Sequence, residues 1–72
     1  MEIIVRLDRV MADRKMKLNT LSECTGISVV NLSKLKTEKV KAIRFSTLES
    51  ICECLDCQPG DILEYGESEK RD

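Results

Sequence analysis

Residues 21–35, with the sequence Leu-Ser-Glu-Cys-Thr-Gly-Ile-Ser-Val-Val-Asn-Leu-Ser-Lys-Leu, decide the fold of this chain. The apolar stripe before Gly26 predicts a short helix, because glycine is the residue that most readily adopts the left-handed turn after a helix. Ser28 is typical of a helix N-cap, and Leu32 and Leu35 provide the apolar stripe of another helix that runs to about residue 37. The stretch therefore predicts two short helices joined by a tight turn.

The chain before this pair predicts a strand and a first helix. Ile3–Val5 is a short β-branched run, which is typical of a strand. From Arg6 to about Lys15 the apolar residues recur at helical spacing. Asp8 lies in the first turn of this helix, where the helix dipole favours an acid.

The chain after the pair predicts a fourth helix, a single-turn fifth helix and a second strand. Ser46 and Glu49 form the S-x-x-E pattern of a capping box, so we expect the fourth helix to begin there and to end near Leu55. Pro59 can open a single helical turn, because its fixed φ suits the first helical position. Ile62–Tyr65 predicts a short strand.

Length and composition exclude several classes of protein. The 72 residues suffice for one domain with a binding surface rather than a deep cavity. The chain contains no histidine, which excludes histidine-based catalysis, and its three glycines stand apart, which excludes a phosphate-binding loop. No segment is apolar enough to cross a membrane, and no secretory signal is visible. We therefore expect a cytoplasmic protein without enzymatic activity, a cofactor or a small-molecule substrate.

Charge is segregated along the chain, although the formal net charge is only −1. Residues 34–44, called here the basic segment, contain five basic residues and one acidic residue. Residues 45–72 contain two basic and eight acidic residues. A basic segment directly after the third helix indicates an anionic partner such as nucleic acid, and the acidic C-terminal part should face away from that partner.

Taken in order, these elements resemble the Cro/C1-type, phage-repressor-like helix-turn-helix regulators of the XRE family. The resemblance covers nearly the whole chain: the first helix, the helix-turn-helix of residues 21–35, a basic loop ending in Arg44 and Phe45, the fourth helix, and the short Pro59–Leu63 end. The chain is most similar to the small single-domain members that have an extra strand before the first helix.

This resemblance implies an all-α, lambda-repressor-like fold of five helices. It also implies that the N-terminal strand, Ile3–Val5, pairs antiparallel with the C-terminal strand, Ile62–Tyr65. The helix-turn-helix domain would occupy residues 1–66, followed by a charged, disordered tail at 67–72.

Two residues depart from the family pattern. Lys17 stands where members usually have Ser or Thr at the start of the second helix, so either Lys17 or Asn19 could be its N-cap. Ser22 stands where members usually have Ala, and its hydroxyl can bond back to a carbonyl of its own helix.

The resemblance makes the third helix the one that reads bases in the major groove. With Leu32 and Leu35 facing inward, the outward and bordering side chains offer methyl groups for thymine, polar groups for base edges and a cation for guanine or phosphate. The expected base-reading residues are Val29, Val30, Asn31, Ser33 and Lys34. The expected contacts to the DNA backbone are Ser28, Lys36, Thr37, Lys39, Lys41 and Arg44.

The four cysteines, at positions 24, 52, 54 and 57, leave more than one interpretation open. Cys54 and Cys57 have the C-x-x-C spacing of metal and redox pairs, but a zinc ribbon needs a second such pair, which Cys24 and Cys52 do not form. Cys52 lies on the apolar stripe of the fourth helix, which favours small buried hydrophobes in a reducing compartment. We expect no metal site, and a thiol sensor using Cys54 and Cys57 remains an alternative.

Besides a thiol sensor, two classes of function fit the sequence. The leading hypothesis is a sequence-specific DNA-binding regulator, more specifically a repressor. It would bind double-stranded DNA as a homodimer, because one helix reads too few base pairs. Its subunits would meet through the terminal strand pair or through the fourth and fifth helices. The alternative is a protein-interaction module of antitoxin or anti-repressor type that uses the apolar Val29 and Val30. Salt separates the two, because contacts to phosphate weaken steeply as salt rises.

Overall fold

Five helices and one two-stranded sheet make up the part of the chain that the computed structural model describes, residues 1–37 and 40–67. In chain order they are β1 (Glu2–Val5), α1 (Leu7–Asp13), α2 (Leu18–Thr25), α3 (Val29–Thr37), α4 (Phe45–Leu55), α5 (Pro59–Ile62) and β2 (Leu63–Gly66). The predicted helical fold with a terminal strand pair is confirmed. Of the predicted tail, residues 68–72 lie outside the described residues.

The two strands bring the ends of the described chain together. They pair antiparallel, with Ile3 opposite Tyr65 and Val5 opposite Leu63. Glu64 ties this pair to α1, because its carboxylate accepts hydrogen bonds from Arg6 Nε at 2.8 Å and from Arg9 Nη2 at 3.0 Å. The hydrogen bond from Arg6, followed by that from Arg9, holds the pKa of Glu64 below its ordinary value.

All five helices contribute to one apolar core. Its buried members are Leu7, Val10, Met11, Leu21, Leu32, Leu48, Ile51, Leu55 and Ile62. No polar or charged side chain is buried with them in the described part of the chain. No helix there is long and apolar enough to cross a bilayer. Helix α3 contributes Leu32 to the buried set, and Leu35 packs partly buried against the core, so the exposed residues of α3 lie on the opposite side.

Helix α1 is shorter than the sequence predicts. It ends at Asp13, and Lys15 then adopts a left-handed conformation with φ of 54°. Arg14, expected in the last turn of α1, instead donates hydrogen bonds to the carbonyl oxygens of Leu55 at 2.8 Å and Asp56 at 2.9 Å. Its charge therefore stabilises the C-terminal end of α4, where unpaired carbonyls favour a cation.

The predicted capping box at Ser46 and Glu49 is wrong. Helix α4 begins one residue earlier, at Phe45, and its first turn closes when the Leu48 amide donates to the Arg44 carbonyl at 3.0 Å. Arg44 has the extended backbone of an N-cap residue and makes no side-chain cap bond. Ser46 therefore lies inside the helix, where its hydroxyl is not in the N-cap position.

The turn between α2 and α3 requires glycine. Gly26 has φ of 77°, and its amide donates to the Ser22 carbonyl at 2.9 Å, which closes the C-terminal end of α2. A Cβ at this position would meet no atom within 4 Å, so the requirement comes from the backbone conformation alone.

We expect Gly26→Ala to lower the free energy of unfolding by about 1 kcal/mol, because an L side chain is strained in the left-handed region. Gly60→Ala is the matched control. A Cβ at this position would also meet no atom within 4 Å, but Gly60 lies in α5 and has no positive φ. The control should leave stability unchanged or slightly higher. Urea unfolding followed by circular dichroism measures both, and equal losses in the two variants would contradict this account of the turn.

Candidate nucleic-acid interface

Two hydroxyl groups of α2 fix the turn that leads into α3. Ser22 Oγ donates to the carbonyl of Ile27 at 2.6 Å. Thr25 Oγ1 donates to the carbonyl of Leu21 at 2.9 Å and accepts from the Ile27 amide at 3.1 Å. Ser22 therefore bonds forward across the turn, not back within its own helix as the sequence suggested. The direction of α3 is set by these bonds together with Gly26.

Ser28 caps α3, as the sequence predicts. Its Oγ accepts a hydrogen bond from the Asn31 amide at 3.1 Å, and its carbonyl accepts one from Leu32 at 3.0 Å. The hydroxyl proton of Ser28 is not used in the cap bond, and Ser28 is exposed. The same group can therefore hold the helix end and donate to a phosphate.

The predicted base-reading residues occupy the exposed side of α3. Leu32 is fully buried, whereas Val30 is 64% exposed and Val29 is 38% exposed. Asn31 and Lys34 are also exposed. The helical spacing predicts that Ser33 faces outward, but Ser33 is half-buried. Its carbonyl oxygen accepts a hydrogen bond from Thr37 Oγ1 at 2.8 Å. Ser33 is consequently the least accessible member of the set.

The predicted contacts to the DNA backbone lie at both ends of α3 and beyond it. Ser28 precedes the helix, Lys36 and Thr37 end it, and Lys41 and Arg44 lead into α4; all five are exposed. Lys39 lies outside the described residues. Arg6 and Arg9 form ion pairs with Glu64, and neither of these two ion pairs uses any of the basic side chains near α3.

One exposed basic residue at the start of α2 is not among the expected contacts to the DNA backbone. Lys17, not Asn19, is the N-cap residue of α2. Its side chain is exposed and makes no cap bond. The first helix of a helix-turn-helix crosses the DNA backbone. The position of Lys17 at the start of that helix is the sequence signal that indicates a further candidate contact to the DNA backbone.

The cysteines are not arranged as the C-x-x-C spacing suggested. Cys24 of α2 and Cys54 of α4 form a disulfide, with their Cα atoms 6.0 Å apart, and Cys52 and Cys57 are free. Burial, with a smaller contribution from the neighbouring Cys52, raises the pKa of Cys57 to about 11. The predicted sensor pair, Cys54 and Cys57, is therefore wrong, because Cys54 is bonded to a residue 30 positions earlier in the chain.

Metal chemistry gains no support from this arrangement. Within residues 1–37 and 40–67, no three side chains of metal-binding type come together. The surface around α3 instead combines apolar, amide and cationic groups on one short capped helix. Such a set can contact base edges and phosphates without any bound ion.

Comparison with known proteins agrees with this geometry. Residues 6–68 match the family model of the Cro/C1-type HTH DNA-binding domain. Over 69 residues the chain is 58% identical to the uncharacterized HTH-type transcriptional regulator YozG of Bacillus subtilis (strain 168), spanning 96% of this chain and 82% of that protein. The crystal structure of the transcriptional regulator VanUg matches with a TM-score of 0.66 and 35% identity, over 88% of this chain and 83% of that one. The chain therefore belongs to the Cro/C1-type helix-turn-helix family of DNA-binding transcriptional regulators.

Proposed function

We propose that the protein is a sequence-specific repressor that reads the major groove with α3. The observation that carries this proposal is the outward side of α3, where Val30 is 64% exposed beside exposed Asn31 and Lys34. These three side chains offer a methyl contact for thymine, an amide for adenine and a cation for guanine. Leu32 anchors the opposite side of the helix in the core.

The charge around α3 supports a nucleic-acid partner. Exposed Lys36, Lys41 and Arg44 extend the positive charge from the end of α3 to the start of α4. Each lysine or arginine that neutralises a phosphate releases counterions, which drives binding at low salt. The exposed acids Glu49, Glu53 and others farther along the chain would be turned away from the duplex.

Repression by this protein would need no catalysis or cofactor. A regulator that covers a promoter blocks transcription by occupancy alone. The proposed place of action is the cytoplasm, where a bacterial-type regulator meets double-stranded DNA.

We also propose that the protein binds DNA as a homodimer through α4 and α5. Phe45 is 80% exposed and stands beside an apolar groove formed by Leu48, Cys52, Cys57 and Pro59. A two-fold interface uses the same patch on both subunits, so that patch must carry both a projecting group and a site to receive it. This face carries both, and a second copy is the occupant that fits it.

The two predicted dimer surfaces differ in shape. The groove is lined by Leu48 and Pro59 together with the exposed Phe45. The other predicted surface, the strand pair, exposes Ile3 and Tyr65. Those two side chains project from a two-stranded ribbon, and neither of them lines the groove. The groove face, with both a projecting group and a site to receive it, is therefore the proposed interface.

We expect Lys41→Ala to weaken binding about equally on every DNA sequence. Losing one phosphate contact per subunit should reduce the slope of log affinity against log salt by about 0.9 for each contact. Arg9→Ala is the matched control, because it removes the same charge beside Glu64 rather than near α3. Fluorescence anisotropy over a salt series measures both slopes. An unchanged slope in Lys41→Ala, or an equal decrease in both variants, would contradict the proposed phosphate contact.

We expect Val30→Ala to relax the preference for one symmetric base pair with little change in the salt slope. Removing methyl groups from a base contact should cost no more than about 1 to 3 kcal/mol of discrimination at that position. Competition binding against single-base variants of the preferred site measures this. If affinity for DNA is salt-insensitive and Val30→Ala instead weakens capture of a protein, the protein-interaction alternative replaces the proposed function.

We expect Phe45→Glu to dissociate the dimer, because the new charge would be buried in the groove of the second copy. Tyr65→Glu places the same charge on the strand pair and should leave the dimer intact. Sedimentation equilibrium at micromolar protein, with and without DNA, distinguishes them. Loss of the dimer in Tyr65→Glu alone would move the interface to the strands, and a wild-type monomer that does not pair on DNA would rule out the homodimer.

A further inference from the structure

The Cys24–Cys54 disulfide closes a loop around the proposed DNA-reading helix. The two cysteines are 30 positions apart, and the chain between them contains α3 and the whole basic segment. Cys24 is the second-last residue of α2, directly before Thr25 and the Gly26 turn. The covalent bond therefore fixes the C-terminal end of α2 to α4, and this end leads through the turn into α3.

The disulfide adds a covalent bond to the packing of α2 on α4. Leu21 is the only residue of α2 that is buried among the described side chains, and it lies one turn before the disulfide. The hydroxyls of Ser22 and Thr25 join α2 to the turn, not to α4. A motion of the last turn of α2 would carry the turn and α3 with it, and the disulfide opposes that motion.

Cys24 is more accessible than the other three cysteines. Cys24 is exposed, so a dissolved oxidant or reductant can reach its sulfur, whereas Cys54 is half-buried behind it. Cys52 of α4 and Cys57, which follows the end of α4, are half-buried and line the groove. The pKa of Cys57, raised to about 11, leaves little thiolate at neutral pH to attack the disulfide. Of the four cysteines, Cys24 is therefore the one that a dissolved reagent reaches most readily.

We propose that the Cys24–Cys54 disulfide is a reversible modification that couples DNA binding to redox state, with the oxidised protein binding more tightly. This inference rests on the proposed function, because it concerns how firmly α3 is presented to DNA. A helix already held in place loses less conformational freedom on binding, and that difference favours the disulfide form.

The chemical steps balance with a peroxide as oxidant and a dithiol as reductant. The Cys24 thiolate attacks hydrogen peroxide, forms a sulfenic acid and releases hydroxide, which becomes water on protonation. The Cys54 thiolate then attacks that sulfur, the S–S bond forms, and the sulfenic oxygen leaves as a second water after protonation. In reverse, a dithiol attacks Cys24, Cys54 leaves as a thiolate, and the second thiol of the reductant completes the exchange.

The test compares peroxide-oxidised and dithiol-reduced protein by thiol titration, thermal unfolding, amide hydrogen exchange and DNA binding. Oxidation should consume one pair of thiols, raise the unfolding midpoint by roughly 10 °C or more, and slow exchange at the α2–α3 turn. It should also tighten binding to the preferred DNA site at least about fivefold. Peptide mapping should find Cys24 joined to Cys54.

Two variants control for other cysteine chemistry. Cys24→Ser changes an exposed side chain and should remove every one of these redox responses. Cys54→Ser removes the other half of the bond and should remove them as well. A response that survives either substitution would overturn the assignment.

Failure of this inference is distinguishable from failure of the proposed function. If both redox forms bind DNA equally, the coupling is overturned while the proposed function stands. If neither form binds any DNA but hydrogen exchange at the turn depends on Cys24 oxidation, the proposed function fails and the covalent restraint stands. If exchange and unfolding do not depend on oxidation, the restraint itself is overturned.

Discussion

The burial of Leu32 is the contact on which the functional surface depends. Leu32 is the one fully buried residue of α3 in the described structure, and it determines which side of that helix faces the core. Because a helix turns by about 100° per residue, fixing Leu32 inward leaves Val30 and Lys34 outward. Removing the Leu32 side chain would cost about 2 to 5 kcal/mol. One core residue thus links stability to the proposed recognition of DNA.

Features governed by neighbouring residues were predictable from the sequence. The turn at Gly26 follows from the left-handed backbone conformation, which glycine adopts readily. The cap at Ser28 follows from its hydroxyl oxygen, which accepts a hydrogen bond from the amide three residues later. Pro59 opens α5 for the same local reason. The exposed positions of α3 followed from helical spacing, with Ser33 more buried than expected. The strand pairing came from the resemblance to the family rather than from spacing.

Features that join distant parts of the chain were not predictable in this way. The S-x-x-E pattern predicts a cap only if its serine has extended backbone, and in the folded chain Arg44 takes that conformation instead. Arg14 leaves its own helix to satisfy carbonyls more than 40 residues away. Cys24 meets Cys54 because α2 packs on α4, and the spacing of neighbouring residues does not indicate that packing. These contacts depend on the completed packing of the helices.

Selection of bound sequences from a random duplex pool tests most directly whether α3 is the reader. The wild-type protein should enrich one two-fold symmetric site with half-sites about one helical turn apart. A folded variant with Val30, Asn31 and Lys34 all changed to Ala should bind weakly and enrich no sequence. If that variant enriches the same site as the wild type with the same affinity, α3 does not read the DNA.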